Sequence, residues 1–213
     1  AKERGYRYMA VTDHSRSLKI AGGLSIEQLK EQHREIEKLN EEVAPFRIFT
    51  GVEADILTDG SLDYPNAVLK EMDLVIASVH SKFRMDRQEM TKRIIRALSN
   101  PWVQFLGHPT GRLLGRRPGY EVEIKAVMEA AAAGGKALEI NASPDRLDLR
   151  DEHVYKAKEM GIPIAINTDA HDTARLGEMI YGVTTARRGW LTAGEVLNAW
   201  ELEEVTAWLR RGK

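Results

Sequence analysis

The chain has 213 residues, 31 Lys+Arg against 32 Asp+Glu, a formal net charge of −1, 43% hydrophobic residues and no cysteine. This composition excludes a generally basic nucleic-acid coat, a disordered or fibrous chain, a disulfide framework, and any thiolate metal site or catalytic thiol. No apolar run approaches the ~20 residues of a membrane helix and no signal peptide opens the chain, so the reading is a cytoplasmic protein without a membrane partner.

In chain order, Tyr8–Thr12 reads as a strand. Ser25 then caps a long helix in which Gln28 completes a capping-box pattern and Ile26, Leu29, Ile36 and Leu39 form the apolar stripe. Further strands read over Arg47–Val52, Leu74–Val79, Val103–Gly107, Ala137–Asn141 and Pro163–Asn167, with a weaker signal over Tyr181–Thr184. Between and after them, helices read over Pro65–Glu71, Arg87–Leu98, Glu121–Ala133, Asp151–Met160, Thr192–Trp200 and Glu203–Arg211. Strands alternating with helices at this spacing predict an α/β fold on a parallel sheet, either open or closed into a barrel. The nearly continuous hydrophobic strands predict that both sheet faces are covered. No Pro/Gly/Ser-rich linker divides the chain, so residues 1–213 read as one domain.

An internal echo adds to this. Ala1-Lys-Glu-Arg-Gly5 leads through a strand to Thr12-Asp13-His14, and Ala157-Lys-Glu-Met-Gly161 leads through another to Thr168-Asp169-Ala170-His171, at a constant offset of 156 positions. Each copy reads as a helix end, a Gly C-cap, a strand and polar residues at the strand's carboxyl end. By this reading residue 1 lies in a helix tail whose preceding strand is not in this sequence.

Four of the six histidines follow a strand directly: His14, His80, His108 and His171. Glu53 ends a strand in the same way, and Asp169 stands two residues before His171. In parallel α/β folds the carboxyl ends of the strands share one rim, where sites are built. Six N/O ligands from five strand ends would converge there, suiting zinc, manganese or iron and exceeding the needs of one tetrahedral ion. His33 and His153 fall within helix patterns and read as boundary or surface residues. Asp13 reads as a ligand or as a group orienting an adjacent imidazole.

These segments carry a resemblance. Thr12-Asp13-His14-Ser15, Gly51-Val52-Glu53, Ser78-Val79-His80-Ser81, Gly107-His108-Pro109 and Thr168-Asp169-Ala170-His171 are similar to successive motifs of the polymerase-and-histidinol-phosphatase (PHP) family. Within it, the chain resembles the C-terminal PHP domain of bacterial and archaeal family X DNA polymerases. Supporting stretches include Glu53-Ala-Asp-Ile-Leu57, Gly107-His-Pro-Thr-Gly-Arg112, and Leu138-Glu-Ile-Asn-Ala142 with Arg146-Leu-Asp148. The resemblance implies a distorted seven-stranded βα barrel, here lacking its first strand, and a site for up to three zinc or manganese ions. It also implies phosphoesterase chemistry by metal-activated hydroxide, with 3′–5′ exonuclease or 3′-end processing of DNA as the activity and the polymerase domains of a parent protein as partners. By the same resemblance Glu53 matches a bridging carboxylate, His80 and His108 match ligands of the second ion, Asp169 of the first, and His14 and His171 of the third. Glu53 and Asp169 are thereby the candidate catalytic residues. The family's opening His-x-His motif occurs nowhere in this sequence.

Basic residues lie beside the ligand loops: Lys82 and Arg84 after His80, then Arg112, Arg116 and Arg117 after His108, with Arg146, Arg175, Arg187 and Arg188 as further candidates. Lys82, Arg112 and Arg116 are the expected phosphate contacts, Arg112 first among them because it follows the ligand loop directly. The four tryptophans read as core. Two other functions fit the same residues: a small-molecule phosphatase of the histidinol phosphatase type, and a metal-binding structural module without turnover. A barrel lacking one strand would also be open to self-association through the gap.

Overall fold

A computed structural model describes residues 1–211. Six parallel strands pair in sequence order, β1 (Tyr8–Val11), β2 (Arg47–Asp55), β3 (Leu74–Ser78), β4 (Phe105–Leu106), β5 (Ala137–Asn141) and β6 (Ile164–Asn167). Helices connect them: α1 (Ile26–Val43), α2 (Asn66–Leu69), α3 (Arg87–Leu98), α4 (Ile124–Ala133), α5 (Asp151–Glu159), α6 (Met179–Arg188) and α7 (Leu202–Leu209). At the start of α1, Ser25 accepts from the Gln28 amide while the Gln28 side chain accepts from the Ser25 amide. This reciprocal pair satisfies two of the donors that a helix start leaves free.

The strand pleat sorts side chains onto two faces with period two. Outward residues Val52, Ala54, Val75, Ala77, Leu106, Leu138, Ile140, Ile164 and Ile166 pack under the helices, against Leu29, Met90, Ile94, Val127, Met128 and Val154. Each fully buried Val, Leu, Ile or Met side chain among them contributes about 1.5–3 kcal/mol. Inward residues from all six strands (Tyr8, Phe49, Leu74, Ile76, Phe105, Ala137 and Ala165) meet in a second cluster with Val205, Trp208 and Leu209 of α7. A flat sheet cannot bring six strands to one cluster, so the sheet is curled, with α7 closing one end of its hollow.

The two edges, β1 and β6, are joined through the segment before α7. Asn198 presents its side-chain amide to Ile166 of β6, accepting from the backbone N–H at 3.0 Å and donating to the carbonyl. Tyr8 of β1 donates its hydroxyl to the Trp200 carbonyl at 2.9 Å. The echo persists in three dimensions: β1 and β6 begin and end 156 residues apart, and Gly5 (φ 81°) and Gly161 (φ 67°) both take the left-handed turn before them.

Three expectations are corrected. Tyr181–Thr184 is not a strand but lies inside α6, and the described residues form six strands. The β-branched run misleads because Gly182 sets the local geometry: a Cβ there would sit 2.3 Å from Ile166 Cγ2 and 2.8 Å from Ala142 Cβ, so the glycine lets α6 lie close on the sheet. Thr192–Trp200 forms two short 3-10 turns rather than one helix, its side chains and carbonyls being spent on the β1–β6 seam. Trp190 is 73% exposed, not core.

Candidate metal centre

The pleat that points Phe49 into the hollow also points Gly51, Glu53 and Asp55 there, so Glu53 reaches the carboxyl-end rim from β2. Beyond β1 the parallel pairing resumes between His14 and Glu53, fixed by the Glu53 amide donating to the Asp13 carbonyl and the Ser15 amide to the Glu53 carbonyl. His80 follows β3, and His108 follows Gly107 after β4. The result is a carboxylate ringed by three imidazoles. Glu53 Oε1 lies 3.0 Å from His108 Nε2 and 3.3 Å from His80 Nε2, while Oε2 lies 3.1 Å from His14 Nδ1. The Nε2 atoms of His80 and His108 are 3.2 Å apart. His14, Glu53 and His80 alone place three ligand atoms within 4.8 Å of one another.

Asp169 and His171 stand to one side, at the end of β6. Asn141 donates to Asp169 Oδ2 at 3.1 Å, and Arg146 Nε lies 3.8 Å from the same oxygen. The exposed His171 points Nδ1 at the Asp169 carbonyl, 2.9 Å away, and its ring centroid is 6.1 Å from that of His14. Two site residues, His108 (φ 25°) and Asp169 (φ 52°), hold backbone conformations that side chains other than glycine rarely adopt. Such strain persists only where the surroundings impose it.

Electrostatics follow from this packing. Burial alone would raise the Glu53 pKa, but His108, His14 and His80 hold it well below the ordinary carboxylate value. His80 is opposed by burial, yet Asp55 and Glu53 push it up to about 9. Buried Glu139 rises to about 7, opposed by His108 and assisted by the charges of Glu53 and Asp169.

No protein-family model matches the chain. It is 53% identical over 209 residues to the DNA polymerase/3′-5′ exonuclease PolX of Bacillus subtilis, spanning 98% of this chain but only 37% of that protein. It is 31% identical over 223 residues to a probable phosphatase of Thermoanaerobacter sp., covering all of this chain and 86% of the relative. The fold is like that of histidinol phosphate phosphatase from Lactococcus lactis, crystallised with zinc, L-histidinol and phosphate: TM-score 0.62, 18% identity, 89% of this chain and 84% of that one. The chain belongs to the PHP family. Within that family it stands close to the PHP domain of family X polymerases and is a metal-dependent phosphoesterase.

The residues of this PHP domain fit divalent metal. His108 keeps a buried Nδ1 without a hydrogen-bond partner, and the Nε2 atoms of His80 and His108 face one another beside one carboxylate oxygen of Glu53. A buried imidazole nitrogen without a partner and two imidazole nitrogens facing one carboxylate oxygen suit imidazole–carboxylate coordination of a divalent ion.

A supporting layer holds these side chains in place. Asp55 Oδ1 lies 3.5 Å from His80 Nδ1 and accepts the His80 amide at 3.3 Å, and its other oxygen accepts from Ser17 Oγ at 2.9 Å. Glu139 accepts from the His108 amide at 2.6 Å and from Asn167 at 2.8 Å. Buried Asp148 accepts from Thr110, tying the His108 loop to the loop after β5. Arg93, buried within α3, donates to the Ile56, Leu57 and Ser81 carbonyls and so pins the loops beyond β2 and β3. The roles of Asp55, Glu139 and Arg93 escape motif reading. Period two was the available signal for Glu139, since it shares the inward face with Asn141 on an otherwise apolar strand.

The remaining candidates are placed as follows. Arg112 is committed to protein, donating to the Arg146 carbonyl at 2.9 Å and to the Leu147 carbonyl. Lys82 and Arg116 are exposed. Asp13 accepts from Gln32 at 2.7 Å, and His33 lies 3.5 Å from Glu37 on α1. His153 is buried rather than on a boundary or surface, and burial first of all lowers its pKa to about 4.

Proposed function

We propose that this PHP domain hydrolyses the terminal phosphodiester at DNA 3′ ends, as a 3′–5′ exonuclease or 3′-end processing activity, working alongside polymerase domains in a parent protein. The observation that carries the reading is the split of the Glu53 carboxylate, one oxygen facing His80 and His108 and the other His14. A carboxylate so held is suited to bridging two cations. The 53% identical relative, named as a polymerase and 3′-5′ exonuclease, directs the substrate reading to DNA.

Glu53, His80 and His108 would hold one ion, with His14, Asp169 and His171 contributing to further positions; the donor set suits zinc and manganese alike. Bound divalent ions neutralise phosphate charge and bring the pKa of water toward ~7. The protein's own part is to hold the ligands in place. Asp55 holds the His80 ring and Glu139 holds the His108 backbone. Arg146, beside Asp169, offers a guanidinium fork to a phosphate oxygen. The hollow beneath is packed with apolar side chains.

The relatives named as probable phosphatases, and the neighbour solved with histidinol and phosphate, favour a second reading in which the substrate is a small phosphate monoester. Purified protein with Mn²⁺, offered 3′-labelled oligonucleotide and histidinol phosphate in parallel, separates the two. The DNA reading expects release of labelled nucleoside 5′-monophosphates from the 3′ end. Hydrolysis of histidinol phosphate alone would replace it with the second.

A further inference from the structure

Beside the metal centre lies a groove of about 660 Å³ lined by Lys82, Phe83, Arg84, Arg117, Pro118 and Gly119: three cations and no carboxylate. That is unusual on a chain whose charges nearly cancel. Several arginines elsewhere are paired with carboxylates, Arg87 with Glu121 and Glu123, Arg175 with Glu178 and Arg188 with Asp151.

The groove is built rather than incidental. The Arg117 guanidinium lies 3.7 Å from the Phe83 ring centroid and donates to the Gly111 carbonyl at 2.8 Å, so its plane is fixed. Phe83 in turn stacks on Tyr120, whose hydroxyl donates to the Pro109 carbonyl at 2.8 Å. Lys82 takes a left-handed conformation (φ 58°), and Arg93 anchors the carbonyl of the preceding residue, Ser81.

The groove also connects to the centre. Lys82 is two residues past His80, and Arg117 closes the loop that begins at His108. Arg146, 3.8 Å from Asp169, is near enough that its charge, after burial, lowers the pKa of Arg117. A cationic track thus runs from the Asp169 side of the centre through Arg146 and Arg117 to Lys82 and Arg84. A small phosphate monoester would have no use for it beyond its first member.

We infer that this track seats the non-scissile phosphates of a polynucleotide strand whose terminal phosphodiester lies at the metal centre. The inference rests on the phosphodiesterase reading above and names where that substrate's backbone lies. With Phe83 engaged by Arg117 and Tyr120, the track reads the backbone and not the bases, so binding is independent of sequence.

The test uses a fluorescein-labelled oligothymidylate of eight nucleotides and p-nitrophenyl phosphate, with wild type, K82A/R84A and the charge-keeping K82R/R84K. By fluorescence anisotropy without added metal, K82A/R84A binds the oligonucleotide about tenfold more weakly, and its log Kd against log salt slope is shallower by about 1.4, near 0.7 for each lost phosphate contact on a single strand. K82R/R84K retains wild-type binding. With Mn²⁺, the ratio of kcat/KM for the oligonucleotide to that for p-nitrophenyl phosphate falls about tenfold in K82A/R84A. Unchanged oligonucleotide binding in K82A/R84A, or an equal loss on both substrates, would overturn the track. Wild type that binds the oligonucleotide through these residues but hydrolyses neither substrate would refute the phosphodiesterase reading and leave the track standing.

Discussion

The two ends of the sheet's hollow are made from the same strands, yet they differ in every physical respect. At one end the inward side chains are Phe49, Leu74, Ile76, Phe105, Ala137 and Ala165, sealed by Trp208 and Leu209 of α7. Two to six positions further along, the inward or rim residues are Glu53 and Asp55, Ser78 and His80, Gly107 and His108, Glu139 and Asn141, and Asn167 and Asp169. The pleat decides which face a residue meets, and the strand's direction decides which end. The apolar end supplies stability and keeps water out. It thereby lowers the dielectric beneath the charged end, where buried groups interact strongly and their pKa values spread.

This contrast can be broken from either side. Trp208→Ala at the apolar end is expected to lower unfolding free energy by about 3–5 kcal/mol in urea denaturation, since a large buried aromatic leaves a cavity. Below its lowered melting temperature, the variant retains metal uptake. Glu53→Gln should show the reverse: phosphoesterase rate falls about 10²–10³-fold, in the range seen when a central electrostatic group is removed, while far-UV circular dichroism is unchanged. A third substitution reaches the site indirectly. Asp55→Asn keeps all six candidate ligands of the centre but loosens His80, and should weaken metal affinity about 10–100-fold by calorimetry. Gly107→Ala crosses both regions, because the new Cβ would meet Ser78 Oγ at 2.3 Å and Ile76 Cγ2 at 2.8 Å. Its expected penalty is about 1–3 kcal/mol in thermal unfolding, with weaker metal binding through the displaced His108.

The gentlest probe is pH. In the metal-free protein His80 titrates at about 9, above the unfolded value, so its stabilisation is complete below pH 6.5 and is lost as pH rises through about 9. Metal must displace that proton, so affinity should climb with pH up to about 9, with proton release measurable by calorimetry in buffers of different ionisation enthalpy. His153 has the opposite sign. Its pKa of about 4 lies below the unfolded value, so it withdraws stability as pH falls from about 6.5 toward 4. A His153→Gln variant should lose that acid-side slope and keep the metal-binding pH profile.

Much of this was legible in the residues. The capping box of α1, the whole of α3 and strand β5 emerge at their expected bounds, because their signals are local: a cap, a helical stripe, a buried hydrophobic run. The strand-following histidines were visible for a similar reason, since a parallel sheet sends every strand end to one rim. What escaped depends on distant partners. Gly182 looks like an interruption until β5 and β6 are seen against it. Arg112 looks like a phosphate ligand until the carbonyls of Arg146 and Leu147 claim it, and Arg93 stands in no motif, its role set by the three carbonyls that surround it.

The central claim is that the polar end is a metal centre organised by Glu53. Crystals soaked in Mn²⁺ and measured across the manganese absorption edge test it most directly. The account predicts an anomalous peak bounded by Glu53, His80 and His108, absent in Glu53→Gln crystals; no peak there in the wild type, or an undiminished peak in the variant, would contradict it.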